Sequence, residues 1–108
     1  MAFREGLYKV EFGTRTGQGA GVVILLGGTV RGGDTAMYYT GSYVLKEDNF
    51  NATIDVQRHT AGMQSVFGVD KVNLRLSGRI AGDVGVMQGD AVQAPGATFR
   101  ATLTRIAD

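Results

Sequence analysis

The sequence predicts an all-β domain, a sandwich or closed barrel of about eight short antiparallel strands. Three observations carry the prediction. Seventeen glycines and one proline cut the 108 residues into short runs. Gly27-Gly28, Gly33-Asp34, Gly82-Asp83, Gly89-Asp90 and Pro95-Gly96 supply turn chemistry, since glycine takes positive φ without a steric penalty. Between these breaks, apolar and polar residues alternate with period two, and no run keeps a helical period for long.

Each element follows in order. In Gly6 to Arg15, Tyr8, Val10 and Phe12 share one face, with Lys9 and Glu11 on the other. Gly17-Gln18-Gly19 predicts a turn into Ala20 to Leu26, whose Val22, Val23 and Ile24 favour extended backbone. Thr29 to Arg31 reads as a short strand ending at Gly32-Gly33-Asp34. In Met37 to Lys46, Thr40, Gly41 and Ser42 are weak helix formers, and the strand phase aligns Met37, Tyr39, Gly41, Tyr43 and Leu45. Lys46 to Asn49 is a polar hairpin tip. Phe50, Ala52, Ile54, Val56 and Arg58 then give the clearest alternation in the chain. Met63, Val66 and Phe67 sit at one-face helical spacing between Gly62 and Gly68, which predicts a single helical turn near residues 61–68. Val72, Leu74, Leu76 and Ile80 mark the next strand. Val84, Val86 and Gln88 are read as the apolar phase of another, running to about Ala94, and Phe99, Ala101 and Leu103 face inward in the last.

The length predicts a single domain over residues 1–108 with one modest core. With no cysteine and one histidine, the chain offers no disulfide, no thiolate and no multi-histidine metal site of its own. Its first residues lack the apolar region of a signal peptide, and Ala20 to Leu26 is far short of a membrane span. The expectation is a cytoplasmic protein that meets no membrane. A net charge of +1 gives no broad surface for nucleic acid, and Arg75, Arg79 and Arg100 read as an ordinary solvated wall.

Catalytic motifs are missing. His59 has no nucleophile motif such as Gly-x-Ser-x-Gly beside it, so an enzyme is not expected. Gly17 to Gly21 resembles a nucleotide loop, but no helix follows to present its amides to phosphate. Asp34 reads as a turn residue capping its own backbone rather than a metal ligand. No cofactor and no metal are expected. The apolar face mixes large residues with very small ones such as Gly41, Ala52, Gly78 and Ala101. That mixture either fills a tapered interior or leaves a dry cavity for a small apolar ligand. Tyr8, Val10, Phe12, Tyr39, Tyr43, Ile54, Phe99 and Leu103 are the candidate cavity-lining residues. Tyr38 and Val44 fall opposite the core face. With Met63, Val66 and Phe67 they are the candidates for a homodimer interface.

Several segments together resemble the GrlR family of negative regulators of type III secretion. They are Gly6 to Phe12, Gly19 to Ile24, Gly28 to Asp34, and Tyr39-Thr40-Gly41 four residues beyond Gly-Gly-Asp, followed by an acidic hairpin at Glu47-Asp48. The resemblance covers about half the chain, and its most specific part runs from Gly-Gly-Asp to Tyr-x-Gly. It implies an eight-stranded barrel of calycin or lipocalin-like shape that dimerises. It also implies non-enzymatic action, the binding and sequestration of a transcriptional activator protein. Of the four hairpin acids in the family pattern, only Glu47 and Asp48 carry over; Lys46 and Asn49 stand at the other two places.

Overall fold

The computed structural model describes residues 3–15, 17–62 and 71–108. Eight strands run β1 (Gly6–Thr14), β2 (Gly17–Leu26), β3 (Thr29–Gly33), β4 (Met37–Lys46), β5 (Asn49–Arg58), β6 (Lys71–Ala81), β7 (Val84–Ala91) and β8 (Ala94–Ala107). Each pairs antiparallel with its sequence neighbours, and β1 pairs with β8 to close the barrel. The closed antiparallel barrel is what the sequence predicts, and its calycin or lipocalin-like shape is the one the resemblance implies. The helical turn expected near 61–68, with Met63, Val66 and Phe67, lies almost wholly outside the described residues; Ala61 and Gly62 form a bend.

One rim of the barrel carries the β1–β2, β3–β4, β5–β6 and β7–β8 connections. The opposite rim carries both chain ends and the turns Gly27-Gly28, Glu47-Asp48 and Gly82-Asp83. Gly27, Gly28 and Gly82 have φ of 58°, 81° and 60°, which is why glycine serves there. Glu47 takes φ 57° without that freedom. Its hairpin is anchored from outside, because the Ile80 N–H donates to the Asp48 carbonyl at 3.0 Å.

The core lies inside the closed sheet, and the sequence reading is corrected at four places. Val84 and Val86 point outward, whereas Gly85 and Met87 point in. The two-residue Gly82-Asp83 turn pairs Ile80 with Gly85, so an inward Ile80 forces an inward residue 85. Gly17-Gln18-Gly19 is not a turn but the start of β2. A Cβ on Gly19 would lie 2.7 Å from the Phe12 ring, so its glycine makes room for an aromatic. The last corner is Val92-Gln93 rather than Pro95-Gly96. Gln93 grips Asn73 there, accepting from its backbone N–H at 2.8 Å and donating to its side-chain carbonyl at 2.5 Å. Gly89-Asp90 is a bulge within β7, where the register to β8 shifts.

Candidate functional site

The two halves of the interior are filled differently. Towards the termini, four aromatics make a floor. Phe3 stacks on Tyr8 at 6.1 Å and meets Tyr43 edge-on at 5.8 Å, and Tyr43 stacks on Phe50 at 5.2 Å. Tyr8 is fully buried, and its hydroxyl donates to the Arg4 carbonyl at 2.5 Å. Above this floor the side chains stop meeting across the barrel and leave a cavity of about 230 Å³.

Its walls are hydrocarbon: Val23 and Leu25 from β2, Leu74 and Leu76 from β6, Met87 from β7 and Ala101 from β8 among others. Of the residues the sequence named for a cavity, Val10, Phe12, Tyr39, Ile54, Phe99 and Leu103 line it. Tyr8 and Tyr43 belong to the floor beneath. Phe12 ties the upper wall together, stacked on Phe99 at 5.9 Å and edge-on to Tyr39 at 6.4 Å.

The rim is polar on one side. Asp34 accepts from the backbone N–H groups of Ala36 (3.0 Å) and Met37 (2.8 Å) through Oδ1, the self-capping turn the sequence suggests. Its Oδ2 accepts from the Tyr39 hydroxyl. Gly21 opposite permits this, since a Cβ there would lie 2.9 Å from that hydroxyl. His59 braces the same turn. Its Nε2 donates to the Asp34 carbonyl at 3.0 Å, which leaves Nδ1 to accept from the Thr60 hydroxyl at 2.7 Å. Asp34, Thr35 and Gln18 border the cavity where it reaches the rim.

No protein-family model matches the chain, and no curated protein matches it. The site must therefore be read from its own atoms.

Burial pushes the phenols of Tyr8, Tyr39 and Tyr43 above the ordinary tyrosine range. At Tyr39 the hydrogen bond to Asp34 and the carboxylate's charge push further in the same direction. Above about pH 10 an unfolded chain releases phenolic protons that the fold retains. The native state then binds more protons, so stability is complete below that pH and falls as pH rises. Thermal melts are expected to show a falling midpoint above about pH 10, and Tyr39→Phe should flatten the fall. A slope unchanged in Tyr39→Phe would contradict the burial and pairing described.

The other candidate residues that the structure describes face outward. Glu47 and Asp48 stand exposed on the hairpin tip, at the rim away from the cavity mouth. Tyr38 and Val44 are exposed on the outer face of β4. Arg75, Arg79 and Arg100 are exposed as well, and Asp55 accepts from the Asn73 amide. Among the described residues, no cluster of three or more histidine, cysteine, aspartate or glutamate side chains is placed to hold a metal ion.

Several cavity walls were not among the sequence candidates, including Val23, Leu25, Val30, Ala36, Leu74, Leu76 and Met87. Met87 was legible through the parity argument at Ile80. Ala36 was not, because it sits in an irregular turn held by Asp34.

Proposed function

We propose that the protein acts by binding a single small apolar molecule inside its barrel, without making or breaking bonds. The observation that carries this is the apolar-walled cavity above an aromatic floor. Engineered apolar cavities of about 150 Å³ take up benzene, so on the same scale this space holds a group of about nine carbon atoms. A void of this kind weakens a small domain unless something fills it, because its lining atoms lack partners on one side. Occupation by ligand restores those contacts.

Toluene is a suitable neutral probe. A ligand at 100 times its Kd adds about 2.7 kcal/mol to folding stability, enough to raise the melting midpoint by about ten degrees in a domain of this size. Toluene near saturation is therefore expected to raise the melting temperature clearly. Ala101→Phe, whose added ring occupies the cavity, should abolish the rise. No rise in the parent protein, or an equal rise in Ala101→Phe, counts against the proposal.

A second reading has its own observation. Glu47 and Asp48 project from an anchored hairpin, and a pair of acids so held suits the basic surface of a DNA-binding protein. In this GrlR-like reading the barrel captures a transcriptional activator, with Tyr38 and Val44 on the outer wall as dimer contacts. Loss of capture on reversing both acidic charges, with toluene uptake intact, supports it.

A further inference from the structure

We infer that the cavity's ligand is an amphiphile with a cationic or hydrogen-bond-donating head group, an alkylammonium or an alcohol in preference to a carboxylate. This rests on the ligand-binding reading and adds the head-group chemistry. Asp34 is the one charged side chain among the described residues lining the cavity, and it lies where the apolar walls meet the rim. A carboxylate offers about four acceptor positions. Three are taken, two by the Ala36 and Met37 N–H groups and one by the Tyr39 hydroxyl. The fourth, on Oδ2, is left for a donor. Tyr39 has committed its proton to Asp34, so it does not turn that proton towards an anion.

Two basic side chains near Asp34 are engaged elsewhere, and Arg15 and Lys71, exposed at the same rim, are not part of the cavity wall. Arg58, at the end of β5, donates to the Thr60 carbonyl at 3.1 Å and is not part of the cavity wall. His59 donates to the backbone of Asp34 from the solvent side. A fatty-acid carboxylate entering head-last would bring a second negative charge up to Asp34 in a half-buried setting. Like charges disfavour each other most where water is scarce. An ammonium at the same point completes the acceptor set and stays partly hydrated at the rim while its tail fills the cavity.

The test compares n-octylammonium, 1-octanol and octanoate at equal ionic strength by calorimetry, with toluene as the head-group-free reference. Octylammonium is expected to bind at least tenfold more tightly than octanoate, with octanol between them. Asp34→Asn keeps an oxygen for the turn and removes the charge, so it should close most of that gap. Octanoate binding as tightly as octylammonium, or a gap unchanged in Asp34→Asn, overturns the inference while toluene uptake leaves the cavity reading standing. Octylammonium binding that survives Ala101→Phe lies outside the barrel and also overturns it. Should Asp34→Asn not fold, Tyr39→Phe keeps the carboxylate and frees a further acceptor position. The preference is then expected to hold or widen, and a narrowed gap refutes the inference.

Discussion

Gly78→Ala is expected to destabilise the barrel by at least about 3 kcal/mol, far more than a glycine-to-alanine change at most strand positions. Gly78 faces inward on β6 beneath the crossing of β7. A Cβ there would lie 2.0 Å from the Val86 carbonyl oxygen and 2.8 Å from the Met87 Cα. Both are backbone atoms, so no rotamer change relieves the collision. The same relation recurs around the sheet. Added Cβ atoms would meet Val22 O from Gly32 at 2.0 Å, Thr53 O from Gly41 at 2.1 Å and Arg75 O from Gly89 at 2.0 Å. Inward glycines on β3, β4, β6 and β7 thus mark where the small barrel bends hard enough to close. Gly27→Ala is the control. Its surroundings are open, and its φ of 58° makes alanine cost only about 1–2 kcal/mol. Urea unfolding of both variants decides the matter. A Gly78→Ala loss no larger than that of Gly27→Ala would show that close strand approach does not set the barrel's curvature.

Those glycines also explain what the sequence made legible. Glycine in a strand-rich chain signals either a turn or a close backbone approach, and composition alone does not separate the two. At Gly27-Gly28 and Gly82-Asp83 the turn reading holds because a period-two run stands on each side. At Gly17 to Gly19 and at Gly89 the glycine accommodates a neighbour instead, Phe12 in the first case and the β6 backbone in the second. Those neighbours are fixed only by pairing. The alternating runs of β5, β6 and β8 were readable because each buries one face alone. In β2, Val22, Ile24 and Leu26 are apolar on the exposed face, so hydrophobicity does not report its phase.

The cavity shows the same division. Its aromatic and aliphatic walls followed from strand parity, as at Phe12, Ile54 and Phe99. Whether large and small residues interlock or leave space depends on the register between strands. Tyr8 and Tyr39 lie on the inward face of their strands, yet one closes a floor and the other borders a ligand-sized space. The polar rim was hidden for a further reason. Asp34 serves its own turn and the cavity at once, and only the first role leaves a mark in local sequence.

Tyr8→Ala is expected to cost about 3–5 kcal/mol, as truncation of a buried aromatic generally does, out of a total stability of about 5–15 kcal/mol for a domain of this kind. Tyr8 is fully buried, stacked on Phe3, and joined through its hydroxyl to Arg4 near the seam where β1 meets β8. Tyr8→Phe removes only that hydroxyl. It leaves the Arg4 carbonyl short of one donor, and the expected loss is about 1 kcal/mol. The contrast separates the hydroxyl's hydrogen bond from the bulk of the ring. Denaturant midpoints of the two variants measure both terms, and equal losses would refute the floor described here. Tyr8→Leu adds a functional readout at lower risk to folding. With a smaller side chain at the floor, the space above Phe50 extends towards the chain ends and takes a longer tail. Decylammonium should then gain affinity over octylammonium relative to the parent protein. Chain-length preference left unchanged would mean that the aromatic layer does not set the depth of the cavity.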